Sequence, residues 1–186
     1  MHLGAGYQHL KLNDIQGLNF KDKSIHSWLV AADADIDFGP LYLQIAASEG
    51  QNGSDAGWND ESGAIAPVIF SDYYFNQNMG VNIHNGKLKD TTRFMASLSV
   101  GYHLTESLRF EAGAAYRYDD NSAFYDSNNN MTFYLQAAYT VAPGFVITPE
   151  VGYIDLGDRV GTKGNKASAK DQGYLWYAGA QWAMYF

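Results

Sequence analysis

Apolar residues recur at every second position through most of this chain, which is the side-chain period of a β-strand with one greasy face. The pattern is cleanest at the end. Tyr174, Trp176, Ala178, Ala180, Trp182, Met184 and Phe186 alternate with Leu175, Tyr177, Gly179, Gln181, Ala183 and Tyr185. It predicts strands over His2 to Leu12, Ser27 to Phe38, Leu41 to Ser48, Arg93 to Leu104, Leu108 to Tyr118, Met131 to Val141, Phe145 to Ile154 and Gly173 to Phe186. In the second of these, Trp28, Val30, Ala32, Ala34, Ile36 and Phe38 share one face, and Asp33, Asp35 and Asp37 the other.

The connections alternate in length. Asp37–Pro40, His103–Ser107 and Val141–Gly144 are short and carry turn residues, whereas stretches near 13–25, 49–90, 119–130 and 155–172 are long. Eight strands with tight turns at one end and long loops at the other predict an all-β fold. Its form is an antiparallel transmembrane β-barrel of eight strands, either a small closed barrel or a segment of a larger one. The alternation places both termini on the periplasmic side and the long loops outside. A soluble sandwich is the rival, but its strands average about five or six residues. The expected organisation is one domain over 1–186.

Composition narrows the function classes. Aromatics make up 15% of the chain, including fourteen Tyr, and they gather near strand ends, where interfacial girdles sit. Trp28, Phe38, Tyr102, Tyr116, Tyr153, Trp176, Trp182 and Phe186 are the expected membrane anchors. No window holds eighteen consecutive apolar residues, so no transmembrane helix is expected. A net charge of −8 without a basic patch argues against nucleic acid as a partner. There are no cysteines, which removes thiolate chemistry and Cys-ligated zinc. The start, Met1-His-Leu-Gly-Ala-Gly-Tyr7, lacks the basic and apolar regions of a signal peptide. Either an export signal has been removed, or the chain is an internal piece of a longer one.

The terminal strand, the Tyr-rich hairpins, and segments such as Phe133-Tyr-Leu-Gln-Ala-Ala-Tyr139 and Pro149-Glu-Val-Gly-Tyr153 resemble the C-terminal part of bacterial outer-membrane porins of the homotrimeric type. The resemblance covers about Thr91 to Phe186, and the first half follows it in style. Porins of that kind have sixteen strands around a water-filled channel for small hydrophilic solutes. The resemblance therefore implies passive diffusion, an integral outer-membrane location, and outer-membrane lipid and small solutes as partners. It also implies the barrel-assembly machinery engaging the C-terminal strand, and a homotrimer.

The residues expected to face a lumen are Asp33, Asp35, Asp37, Gln44, Arg93, Arg109, Glu111, Arg117, Gln136, Glu150 and Gln181. Two readings stay open for them: a pore lining that selects by charge and size, or an ion-pair network plugging a narrow barrel that acts through its external loops. Pairing about Thr105-Glu106 sets Arg93 beside Arg117 and Glu111 beside Ser99, so the two arginines need an acid from a loop or a neighbouring strand. The interval Glu49–Asp90 holds Gly63-Ala-Ile-Ala-Pro-Val-Ile-Phe70 and Tyr73-Tyr-Phe75, apolar enough to fold inward or cap the barrel. Asp119, Asp120, Asp126 and Asn128 make an oxygen-rich loop that is a secondary candidate for Ca²⁺. No other metal and no cofactor is expected. His9, His26, His84 and His103 lack a hydrolase motif around them, and an enzyme is not expected.

Overall fold

The computed structural model describes residues 1–12, 23–53, 80–84, 87–121, 127–159 and 170–185. The apolar stretches at 63–70 and 73–75, the loop aspartate Asp126 and the terminal Phe186 lie outside the described residues. So does most of each predicted loop at 13–25, 49–90 and 155–172.

Eight long strands form one antiparallel sheet in chain order. They are β1 (His2–Leu12), β2 (Lys23–Phe38), β3 (Leu41–Gln51), β6 (Thr91–His103), β7 (Leu108–Asn121), β8 (Asn128–Ala142), β9 (Phe145–Asp155) and β12 (Tyr174–Met184). Two short hairpins decorate the long-loop end: β4 (Asn82–His84) with β5 (Lys87–Lys89), and β10 (Asp158–Arg159) with β11 (Lys170–Asp171). Strands β1 and β12 are the two ends of the ladder and run in opposite directions.

All eight strands lie where the alternation predicts them, but several run further toward the long loops. β2 begins at Lys23, β7 continues to Asn121 and β8 begins at Asn128. Those ends are polar on both faces, so the hydropathy signal fades while the hydrogen-bond ladder continues. Asp119 and Asp120 thus belong to a strand and not to a loop, as does Asn128. β2 is 16 residues long and β8 is 15, well beyond the usual strand of a soluble sheet.

The turns explain the register. Gly39, with φ 69°, is the first of two loop residues between the paired Phe38 and Leu41, as a type II′ hairpin requires. Pro143 and Gly144 (φ 77°) place the positive φ second, as in a type II turn. That turn matches strand twist less well, and a bulge follows at once between Thr140 and Ala142. The β6–β7 connection corrects the expected register. Thr105 Oγ1 accepts hydrogen bonds from the backbone N–H of Ser107 at 3.2 Å and of Leu108 at 3.0 Å. That closed hydroxyl turn lengthens the loop. Arg93 therefore opposes Asp119 instead of Arg117, and Glu111 opposes Gly101 instead of Ser99.

One face of the sheet is apolar and uncovered by protein. Trp176 and Trp182 are 73% and 72% exposed, and Leu3, Val30, Ile45, Leu98, Leu135 and Val151 are exposed beside them. A continuous apolar surface across eight strands far exceeds what a soluble monomer shows to water. Aromatics edge it at both ends. Phe38, Tyr102 and Phe110 lie toward the tight turns, with Trp182 and Tyr139 in the same region. Tyr7, Trp28, Tyr116, Phe133, Tyr153 and Trp176 lie toward the long loops. Tyr153 packs its ring 4.9 Å from that of Trp176 and 5.5 Å from that of Tyr174. Ten residues separate Trp28 from Phe38, about 34 Å of strand, or about 26 Å of depth at a tilt of about 40°. The apolar band of an outer-membrane barrel is about 25 Å tall.

Candidate functional site

The opposite face is polar, and register sorts it into rows running across the strands. One row carries Asp35, Gln44, Ser99, Gly113, Tyr134, Gly152 and Tyr177 from β2 to β12. The next row toward the tight turns carries Asp37, Tyr42, Gly101, Glu111, Gln136, Glu150 and Gly179. Each tyrosine thus sits directly opposite a glycine, and the glycine is what lets its ring lie down. A Cβ added at Gly101 would fall 1.9 Å from Tyr42 Cζ. At Gly113 it would fall 2.2 Å from Tyr134 Cε1, and at Gly152 2.4 Å from Tyr177 Cε1.

The flattened rings deliver their hydroxyls to two carboxylates. Glu111, which is buried, accepts hydrogen bonds from Tyr42, from Tyr134 Oη at 2.7 Å and from Gln136 Nε2 at 2.6 Å. Tyr177 Oη donates to Glu150 Oε1 at 2.7 Å. Three donors converge on one carboxylate and hold it still. On the β2 side, Gln44 donates to Asp35 Oδ1 at 2.9 Å and accepts from Ser99 Oγ at 3.1 Å. Asp33 pairs with His2 at 2.7 Å, and Asp37 is exposed. The Arg109 guanidinium lies 5.7 Å from the centre of the Tyr42 ring, within cation–π range.

Toward the long loops the same face changes character. Arg93 Nε lies 2.5 Å from Asp119 Oδ1, and Arg117 Nη2 lies 2.6 Å from Asp119 Oδ2. The acid that two neighbouring arginines require comes from β7 itself, two residues beyond Arg117. Asp119 is buried between two guanidiniums and is not an open Ca²⁺ ligand. Among the described residues no three His, Cys, Asp or Glu side chains are grouped to hold a metal ion.

At the same end, buried Asn52 ties down the start of the long interval after β3. It has φ 52°, an uncommon conformation for a residue other than glycine. Its Nδ2 donates to His26 O at 3.0 Å and Asp90 Oδ1 at 2.8 Å, and its Oδ1 accepts from Thr91 N at 2.9 Å. Thr91 Oγ1 in turn donates to Gly80 O at 2.9 Å.

The structure therefore brings Asp35, Asp37, Gln44, Glu111, Gln136 and Glu150 into two adjacent rows, with Arg109 one step further toward the turns. It sets Arg93 and Arg117 apart in their own cluster. Gln181 stands exposed on β12 opposite Thr148. Sequence reasoning missed the three tyrosines and Asn52 as organising residues. Glycines at matched polar-face positions were the available signal, but they identify partners only once the register is known.

No protein-family model and no curated protein matches the chain. Among solved structures it is similar to OmpT, an outer membrane protein of Vibrio cholerae in its trimer form. The identity is 14% and the TM-score 0.54, over 98% of this chain and 51% of that one. This chain thus spans about half the length of that relative. The fold is that of an outer-membrane β-barrel. Neisserial surface protein A also aligns, at 11% identity over 98% of this chain and 94% of that one, with a TM-score of 0.33. The apolar face with its two aromatic borders is lipid-facing, and the chain is an integral protein of the outer membrane.

Proposed function

We propose that the chain forms the wall of a porin-like channel for passive diffusion of small hydrophilic solutes or ions. The observation that carries this reading is the lie of Tyr42, Tyr134 and Tyr177 along the wall. Each ring covers a glycine on the next strand, and each hydroxyl ends on a carboxylate of that same strand or the one beyond. A large polar side chain folded onto the wall takes little room from a lumen. A barrel filled by its own side chains would instead direct such rings across its interior.

The charge arrangement supports a preference for cations. Asp35, Asp37 and Glu150 lie on the polar face, whereas Arg93 and Arg117 are drawn into Asp119. The lumen itself is completed either by β1 pairing with β12 or by further strands between them, because backbone groups left unpaired in lipid are too costly. The opposite directions of β1 and β12 suit either solution.

A second reading, a narrow barrel that does not conduct and acts through its external loops, draws on the buried Arg93–Asp119–Arg117 cluster at the loop end. Single-channel recording on the refolded chain in a planar bilayer separates the two. Steady unitary steps with cations preferred are expected for the channel, and a silent bilayer with folded, inserted protein would overturn it.

A further inference from the structure

We propose that Arg109 and Asp37 grip the two ends of a short zwitterionic peptide at the tight-turn mouth of the lumen. The site deepens the channel reading by naming a solute class, and rests on that reading for access from water. Arg109 is the second residue of β7, and Asp37 stands two residues before the Gly39 turn. Both lie on the polar face at the same end of the sheet. Arg109 is a cation that the fold leaves available. Glu111, two residues along the same strand and face, already has both oxygens engaged. Its Oε2 accepts from Tyr42, and its Oε1 from Tyr134 and Gln136. The Arg109 guanidinium instead lies 5.7 Å from the centre of the Tyr42 ring, and its N–H groups make no hydrogen bond or ion pair among the described residues. A ring face attracts the charge but leaves the fork of donors open. His103, directly opposite on β6, sets its imidazole 5.5 Å from the same ring. Arg93 and Arg117 offer no such fork, because Asp119 holds both.

Asp37 supplies the complementary end. It stands across the ladder from Tyr42, is exposed, and makes no ion pair among the described residues. Three strand spacings separate β2 from β7, about 14 Å. The guanidinium, reaching back over Tyr42, draws that span toward the length of two extended residues, about 7 Å. A planar carboxylate matches the guanidinium fork bidentately, and an ammonium matches Asp37. A simple anion is disfavoured at this mouth, because Asp35, Glu111 and Glu150 share the face and repel it. A solute that carries its own ammonium escapes that repulsion.

The test uses the refolded full chain in detergent micelles and saturation-transfer NMR, which reads weak binding without conduction. The probes are glycylglycine, the anion N-acetylglycine and the cation glycylglycinamide. Glycylglycine is expected to bind about tenfold more tightly than either, the scale of one charge-assisted contact. Arg109→Gln should bring it down to the level of glycylglycinamide, and Asp37→Asn to that of N-acetylglycine. Arg109→Lys keeps the charge without the fork and should weaken binding about threefold. Lys87→Gln, at the loop end, should change nothing. Should Arg109→Gln fail to show heat-modifiable migration, Arg109→Lys and the exposed Asp37→Asn decide. Equal binding of the three probes overturns the proposal, as does a preference that survives in these variants. N-acetylglycine binding as tightly as glycylglycine would also overturn it, marking a plain anion seat. A silent bilayer with the glycylglycine preference intact would fail the channel and keep the site, whereas conduction without that preference would fail the site alone.

Discussion

Tyr134 on β8 lies across Gly113 on β7 and donates its hydroxyl to Glu111, two residues along that strand, at 2.7 Å. The same unit recurs with Tyr177 over Gly152 and Glu150. Tyr42 over Gly101 reaches one strand further, to Glu111. All three pairs join strands whose connection is long: β3 with β6, β7 with β8, and β9 with β12. A tight turn fixes register at β2–β3, β6–β7 and β8–β9, but a longer connection does not. A ring that fits only over a glycine supplies the missing constraint, because a two-residue slip would set it against a side chain.

Gly113→Ala tests that idea. Its new methyl would overlap the Tyr134 ring, so the ring must lift from the wall and lose Glu111. Overpacking of this kind costs about 1–3 kcal/mol, read as a lower urea midpoint for the folded band on a gel. In the proposed channel the displaced ring would enter the lumen, so unitary conductance should fall in parallel. Gly113→Ala/Tyr134→Ala should recover most of the conductance; failure to do so would show that the ring is not what obstructs.

Glu111→Gln and Glu150→Gln separate charge from architecture. Both keep an oxygen that accepts from tyrosine, so folding should be little changed at Glu150. At Glu111 the retained oxygen can keep Tyr134 and Gln136, but the new NH₂ faces the Tyr42 hydroxyl, which must turn from donor to acceptor. A loss of about 1–3 kcal/mol is expected there. Reversal potentials under a salt gradient should move toward anions in both variants. Unchanged potentials would place the selective charges elsewhere, at Asp33, Asp35 and Asp37.

The eight strands and their faces were legible because an apolar lipid-facing side and a polar side enforce a strict period of two. Val30, Leu98 and Leu135 could be assigned outward from sequence, and they are. What the sequence hid is pairing across distance. The β6–β7 register was misread by two residues, since a hydroxyl turn at Thr105 is not distinguishable in composition from a two-residue hairpin. With Arg93 moved from Arg117 to Asp119, an apparent repulsion becomes an ion pair. Asn52 was equally hidden: its role rests on a positive φ and on partners at His26 and Asp90, far away in the chain.

Asn52 gives a prediction of its own. Asn52→Gly keeps the left-handed backbone but removes the bonds to His26, Asp90 and Thr91. Leaving those partners without Asn52 should cost about 1–3 kcal/mol. Asn52→Ala adds the strain of a Cβ at φ 52°, about 1 kcal/mol more. The readout is limited proteolysis between Gly53 and Asp90, which should quicken in the order wild type, Gly, Ala while the barrel remains heat-modifiable. Equal rates in all three would mean that Asn52 does not anchor this interval.

Asp119 and Arg117 make the sharpest contrast. Asp119→Asn leaves two buried guanidiniums, from Arg93 and Arg117, facing a neutral amide. Removing one member of a buried charge cluster in this way costs about 3–5 kcal/mol. Arg117→Met removes instead one of the two guanidiniums, keeps most of the side-chain volume, and leaves Arg93 on Asp119. Its cost should be small, within about 1 kcal/mol, since replacing a buried charge by an apolar group of similar size is often tolerated. Urea titration of the refolded variants in lipid vesicles measures both. If Arg117→Met proves as damaging as Asp119→Asn, the cluster works as an inseparable triad and not as a pair with a third charge drawn in beside it.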